Sequence, residues 1–135
     1  MSSNQNELVP KIIPGNRFLD DRGFLVANNG TDLREYCRFY TIQNHTSHFV
    51  RAWHGHKFES KSFFCIKGTF LVGAVRVEDF SNPNPNSFVH RHFLSEQDGN
   101  LLYIPKGFAN GFMNLAPDSI VLVFSDKKLE ESIKD

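Results

Sequence analysis

The chain lacks most of what would make it a disulfide scaffold, a membrane protein or a nucleic-acid binder. Only two of its 135 residues are cysteine. Cys37 and Cys65 are too few and too far apart for a disulfide framework or a zinc cluster, and their apolar, strand-like surroundings predict buried free thiols. No apolar run approaches the roughly eighteen residues of a membrane span, and the polar opening, residues 1–8, has no apolar signal-peptide core. A cytoplasmic protein is the expectation. Fifteen basic and fifteen acidic side chains give zero formal net charge with no long block of either sign. Attraction to nucleic acid or to a membrane surface is therefore not expected. Internal repeats and linkers are absent too. One domain over 9–135 is predicted, with residues 1–8 a flexible tail or an arm to a neighbouring subunit.

What the chain does have is strand signal. Hydrophobic residues make up 40%, and phenylalanine supplies 14 of the 18 aromatics, bulky filler for a sandwich or barrel. Short β-branched and aromatic runs between Gly, Pro, Asn and Asp predict strands at 11–13, 23–28, 38–43, 50–56, 61–67, 69–77, 88–94, 101–104, 111–115 and 119–124. Lys67-Gly68 reads as a tight hairpin turn. Residues 81–86, Ser-Asn-Pro-Asn-Pro-Asn, cannot pair as a central strand and predict an exposed loop. Only 126–134, where Leu129 and Ile133 stand four apart, invites a short helix.

Two half-motifs lie on this background. The first is His54-Gly55-His56, then Lys61, then Gly68 after six residues. The second is Gly99, Pro105, Gly107, Asn110 and Asn114. They match the spacing of the two metal-binding motifs of a cupin, an all-β, jelly-roll-like double-stranded β-helix barrel. Two expected ligands are replaced: Lys61 stands for the glutamate and Asn110 for the third histidine. An ammonium has no lone pair for a metal and repels one. Neither metal nor cofactor is expected.

Side chains at i and i+2 on a strand share a face, so His54 and His56 point the same way. A regular strand would add Ala52 to that face and put Arg51 and Trp53 opposite; a bulge would change this. Burial against phenylalanine would hold both imidazoles near the neutral form, as a general base requires, although either could simply be a hydrogen-bonded core histidine. Lys61 should open the strand paired beside them. A lysine inside a small barrel is costly unless it meets an anion, and an enolate formed by removing a proton next to a ketone is such an anion. The alternative is a lysine reaching out to solvent.

The segments Asp20 to Gly23, Val50 to His56, Lys61 to Gly68 and Tyr103 to Phe112 resemble the dTDP-4-dehydrorhamnose 3,5-epimerase (RmlC-like) family of cupins over roughly residues 17–132. The resemblance implies a homodimer acting on a nucleotide-linked, most often dTDP-linked, 4-keto-6-deoxy sugar. Arg51 and His54 form the family's Arg-x-x-His element, with His54 at the proton-abstracting position. Lys61 falls on the active-site lysine and Arg22 on an arginine that contacts the nucleotide diphosphate. Asn110 replaces a pocket histidine and is expected to contact substrate.

Two further departures accompany Asn110. The acid tyrosine expected near Leu122 is missing, as is the C-terminal segment whose carboxylate orients the histidine. The sugar-nucleotide 3,4-ketoisomerases are similar in length and share His54-Gly55-His56-Lys57 and an Arg-x-Tyr element, here Arg38-Phe39-Tyr40. That makes Tyr40 either a proton donor or an ordinary strand tyrosine. Three readings stand open: an epimerase or ketoisomerase of a 4-keto-6-deoxy sugar nucleotide, a sugar-binding cupin without turnover, and a metal cupin using His54 and His56 with Glu59 or His48.

Overall fold

The structure, a computed structural model, describes residues 8–135. Apart from Leu8, the expected tail or arm lies outside the described residues. Eleven strands follow one another: β1 (Lys11–Ile13), β2 (Asn16–Asp20), β3 (Gly23–Ala27), β4 (Arg38–Ile42), β5 (Val50–His56), β6 (Lys61–Lys67), β7 (Thr69–Arg76), β8 (Val89–Ser95), β9 (Leu101–Ile104), β10 (Phe108–Asn114) and β11 (Ile120–Ser125). A 3-10 turn, Leu33–Glu35, and a short helix, α1 (Leu129–Ile133), complete the chain. The Pro/Asn segment 81–86 is an exposed loop, as its composition requires.

The strands form antiparallel sheets in the order β1-β9-β6-β11-β4 and β5-β10-β7-β8, with β2-β3 apart as a two-stranded ribbon. The two large sheets face each other as the jelly-roll barrel of a cupin. Alternation along the strands decides what lies between them. Phe63, Phe70, Val72, Leu94, Leu102, Phe112, Val121 and Val123 point inward and form one buried cluster. Within it Phe112 packs edge-on against Phe63, with ring centroids 5.6 Å apart, and against Phe70, at 6.2 Å. Among the described residues, no helix is long and apolar enough to cross a membrane.

Several expectations are corrected. Lys67-Gly68 does not close a hairpin, because β6 and β7 belong to different sheets and the turn carries the chain from one to the other. Gly68 has φ +79°, and a Cβ there would lie 1.9 Å from Ser119 Oγ. Lys61 accordingly does not begin a strand beside the histidines: β6 pairs with β9 and β11, and β5 pairs with β10. Cys65 is buried but Cys37 is exposed, sitting just outside the edge strand β4. Burial raises the Cys65 thiol to about 12, so it is inert at neutral pH. By contrast, the short helix expected within 126–134 is present as α1, which starts after Lys128, whose backbone is still extended.

Candidate active site

The site is the open end of the barrel. Strand register sets its rows: on the inner face Asn110 stands between His54 of β5 and Ala74 of β7, which is followed by His90 of β8. In the next row Phe108 stands between His56 and Arg76. Asn110 is only 4% exposed. His54 and His56 share the inner side, as their spacing predicts, but they differ in environment. His54 is exposed at the edge strand, contrary to the expectation that burial would neutralise both rings, whereas His56 is largely covered.

Arg51 departs from regular alternation. Register slips between Asn110 and Phe112, so that His54 and Arg51, three apart, oppose residues two apart. The extra residue is a bulge that contains a cis Ala52–Trp53 peptide. Ala52 and Trp53 consequently both line an outer groove with Gly73 and Gly111. Arg51 instead turns to Asn44, donating from Nε to Oδ1 at 2.7 Å. Asn44 passes the interaction to Asn114 of the inner face, Nδ2 to Oδ1, at 3.0 Å. Of the two arrangements considered, the bulge is the one present, so Ala52 leaves the histidines' face and Arg51 does not lie opposite it.

Lys61 points into the barrel with Phe63 and Cys65, its neighbours of the same parity. Its Nζ donates to Tyr40 Oη at 3.0 Å. Tyr40 lies on the inner face of β4, opposite Val123 and packed against the core cluster. The Arg38 guanidinium sits 5.1 Å from the centre of the same ring. The ammonium is thus not turned out into bulk solvent. The phenol at this end comes from β4; β11, near whose Leu122 a tyrosine was expected, carries none, and Leu122 itself faces away from the interior that Val121, Val123 and Ser125 line.

His56 meets a cluster that sequence reading missed in part. Its Nδ1 lies 3.3 Å from Glu59 Oε1 and 3.5 Å from Asp135 Oδ2. Burial, then the nearby Lys61 charge, holds the imidazole below its ordinary range, against an upward pull from Glu59 and Asp135. Burial alone would raise the Glu59 carboxyl. Hydrogen bonds from Ser125 and Ser132, with the Lys61 and His56 charges, reverse that and hold it low.

His56, Glu59 and Asp135 have the composition of a metal site, with one ligand atom from each within 4.8 Å of the others. Their oxygen lone pairs are already committed. Glu59 accepts from Ser132 Oγ at 2.6 Å, from Ser125 Oγ and from Arg38 Nη2 at 3.2 Å. Asp135 accepts the backbone N–H groups of Lys57, Phe58 and Glu59 at 2.9–3.2 Å. With Arg38 and Lys61 alongside, the cluster does not fit a cation. His48, the other ligand considered, lies exposed on the loop before β5.

Arg22 is not brought to this site within one chain. It sits at the tip of the β2-β3 ribbon, paired with Asp20 at 2.6 Å in solvent. Conversely, His90, His92 and Arg76 do reach the inner side, where His90 stacks edge-on against Phe88 and Phe108. Burial lowers both histidines, assisted by Arg76 at His90 and by His90 at His92. The signal was a second His-x-His, His90-Arg91-His92, on a strand.

The double-sheet barrel, with imidazoles, a lysine and a tyrosine at one end, has the cupin fold. The FdtA family model, described as WxcM-like, C-terminal, matches residues 10–134, and the chain belongs to that family. No curated protein sequence matches it. Among solved structures it is similar to dTDP-4-dehydrorhamnose 3,5-epimerase from Bacillus anthracis with TDP and PPi bound, at TM-score 0.74 and 22% identity over 88% of this chain and 73% of that one. The epimerase from Sulfolobus tokodaii gives TM-score 0.69 and 26% identity over 86% and 69%. QdtA, a sugar 3,4-ketoisomerase from Thermoanaerobacterium thermosaccharolyticum in complex with TDP, gives TM-score 0.69 and 17% identity over 91% and 84%.

Proposed function

We propose that the protein is an isomerase of a dTDP-linked 4-keto-6-deoxy sugar that works by removing the proton on C3, next to the ketone. The observation that carries this reading is the Lys61–Tyr40 hydrogen bond inside the same barrel end as the histidine pair. An imidazole takes the C3 proton, the electron pair moves to the C4 oxygen, and the ammonium meets the resulting enolate more strongly than it meets the neutral ketone. Return of a proton to the opposite face of C3, with the Tyr40 phenol as donor, gives epimerisation. The family membership and the neighbours named above, two of which hold TDP or PPi, support the substrate class.

A second outcome is favoured by Tyr40 itself, which belongs to the Arg38-Phe39-Tyr40 element resembling the ketoisomerases. If the proton returns to C4 and the C3 hydroxyl gives up its own to the C4 oxygen, the carbonyl moves from C4 to C3 with atoms and electrons conserved. Two imidazoles on one inner face suit that transfer.

The ribbon supports a homodimer. Phe18, Leu19, Phe24 and Leu25 are 55–75% exposed on it, one apolar cross-strand pair on each of its faces, which a second copy of the chain clasping the ribbon would cover. In such a dimer Arg22 is free to exchange Asp20 for the partner site's diphosphate, and Arg51 is the phosphate contact within the chain. The test is incubation with dTDP-4-keto-6-deoxyglucose in deuterated water, followed by NMR. Deuterium at C3, with or without C5, lost in His54→Ala, is expected, and the product then separates epimer from 3-keto isomer. No incorporation with any such ketosugar would leave a binding protein without turnover.

A further inference from the structure

We infer that Asn44 and Asn114 are positioning residues that hold Arg51 so that both of its Nη groups are presented to a phosphate of the substrate. The inference deepens the isomerase reading and rests on it for the nature of that substrate. Arg51 is exposed on the edge strand β5. An exposed arginine ordinarily samples many rotamers, and ordering it on binding costs affinity. Here Nε is already engaged, donating to Asn44 Oδ1 at 2.7 Å, and among the described residues nothing else hydrogen-bonds the guanidinium.

The relay behind that contact has a single direction. A guanidinium has donors and no acceptor, so Asn44 must turn its oxygen to Arg51. That leaves the Asn44 amide nitrogen to donate to Asn114 Oδ1 at 3.0 Å and to the Phe49 carbonyl at 3.5 Å. Asn114 then has only its own nitrogen left, which donates to the Ala116 carbonyl at 3.0 Å. Asn114 also pins the loop that carries Asn44, because its backbone carbonyl accepts the His48 N–H at 2.9 Å. The two asparagines are buried, at 7% and 1% exposure, so neither amide can turn over without leaving a polar atom unpaired.

A planar guanidinium held at Nε has the plane of its Nη groups fixed, and that edge matches the paired oxygens of a phosphate. Along the strand, the three-residue step from His54 to Arg51 is at most about 10 Å. In a sugar nucleotide only C2, C1 and the bridging oxygen stand between C3 and the first phosphorus. A sugar whose C3 meets the imidazoles therefore carries its phosphate within reach of Arg51.

The test is binding of TDP to the full chain by calorimetry, together with nitrogen-15 NMR of the arginine side chains. In the free protein the Arg51 Nε–H should exchange slowly with water, while its Nη protons exchange fast and slow down only when TDP is added. Asn44→Ala should weaken TDP binding about fivefold, and Asn114→Ala, at a residue too buried to touch a ligand, about threefold. Under the isomerase reading each raises KM by a similar factor and changes kcat less than about twofold. In an Arg51→Ala background Asn44→Ala should add less than about twofold, because a residue acting through the arginine has nothing left to act on. The NMR measurement needs no variant, so it decides even where Asn114→Ala fails to fold. A fast-exchanging Nε–H in the wild type, an Asn44→Ala effect that persists in full without Arg51, or a wild type that does not bind TDP overturns the inference. TDP bound with the expected coupling, but no ketosugar turned over, would instead sink the isomerase reading and leave this one standing.

Discussion

The two ends of the barrel interior are built from the same strands and have opposite chemistry. At the closed end β7 contributes Phe70 and Val72, β8 Leu94, β6 Cys65 and β11 Val121, all buried. A few residues along each strand the inner positions become Arg76, His90, Lys61 and Ser125, and β5 adds His56. The closed end obeys hydrophobic patterning. The mouth violates it with partly covered cations, imidazoles and a fully buried carboxylate, and such groups are retained at a cost that packing elsewhere must offset. Stability and chemistry are thus separable by position along a strand, and mutations should divide accordingly.

Phe70→Ala at the closed end should show the largest effect, a loss of about 3–5 kcal/mol in urea unfolding, with per-molecule activity of the folded fraction retained. A loss below about 1 kcal/mol would mean that this end is not the stabilising one. Tyr40→Phe at the mouth should lower kcat by about 100-fold and change unfolding free energy by less than about 1 kcal/mol. The reverse pattern would make Tyr40 a strand tyrosine. Arg51→Ala and Arg22→Ala should each weaken nucleotide-sugar binding about tenfold by calorimetry, the scale of one charge-assisted contact. Unchanged affinity in both would remove them from the site.

The smallest effect is the acid sensitivity of the mouth. His56, His90 and His92 are all depressed from the ordinary 6.5, so the unfolded chain takes up their protons first. Stability is complete above that value and falls as pH drops through it toward the depressed folded values. The thermal midpoint should be lower by roughly 3–5 °C at about pH 5 than at pH 7.5, and a midpoint that rises on acidification would contradict the cited burial.

The residues that obey local rules were readable before any coordinates. Alternation located β5, β6 and β9 to the residue, and the i, i+2 rule put His54 and His56 on one side. What escaped depends on contacts distant in sequence. Asn16-Arg17-Phe18-Leu19-Asp20 pairs only with its own hairpin partner, so β2 carries no core-facing alternation. A glycine turn between two strands reads the same whether it closes a hairpin or changes sheets, and only the distant partners, β9 and β11 for β6 and β10 and β8 for β7, distinguish the two at Gly68. The bulge that turns Arg51 inward is visible only against β10. Glu59 was considered as a metal ligand, but it lies beside His56 directly, and its tie to Ser132 and the approach of Asp135 come from the chain's end, which the helical periodicity of 126–134 does not reveal.

The most direct test is the rate of deuterium uptake at C3 of dTDP-4-keto-6-deoxyglucose, measured by NMR for the wild type and for Lys61→Met, a substitution of similar length without the charge. A folded Lys61→Met protein that exchanges the C3 proton about 100- to 1000-fold more slowly is the expected result. Wild-type exchange that survives removal of the ammonium within a factor of two would contradict the assignment of enolate stabilisation to the barrel mouth.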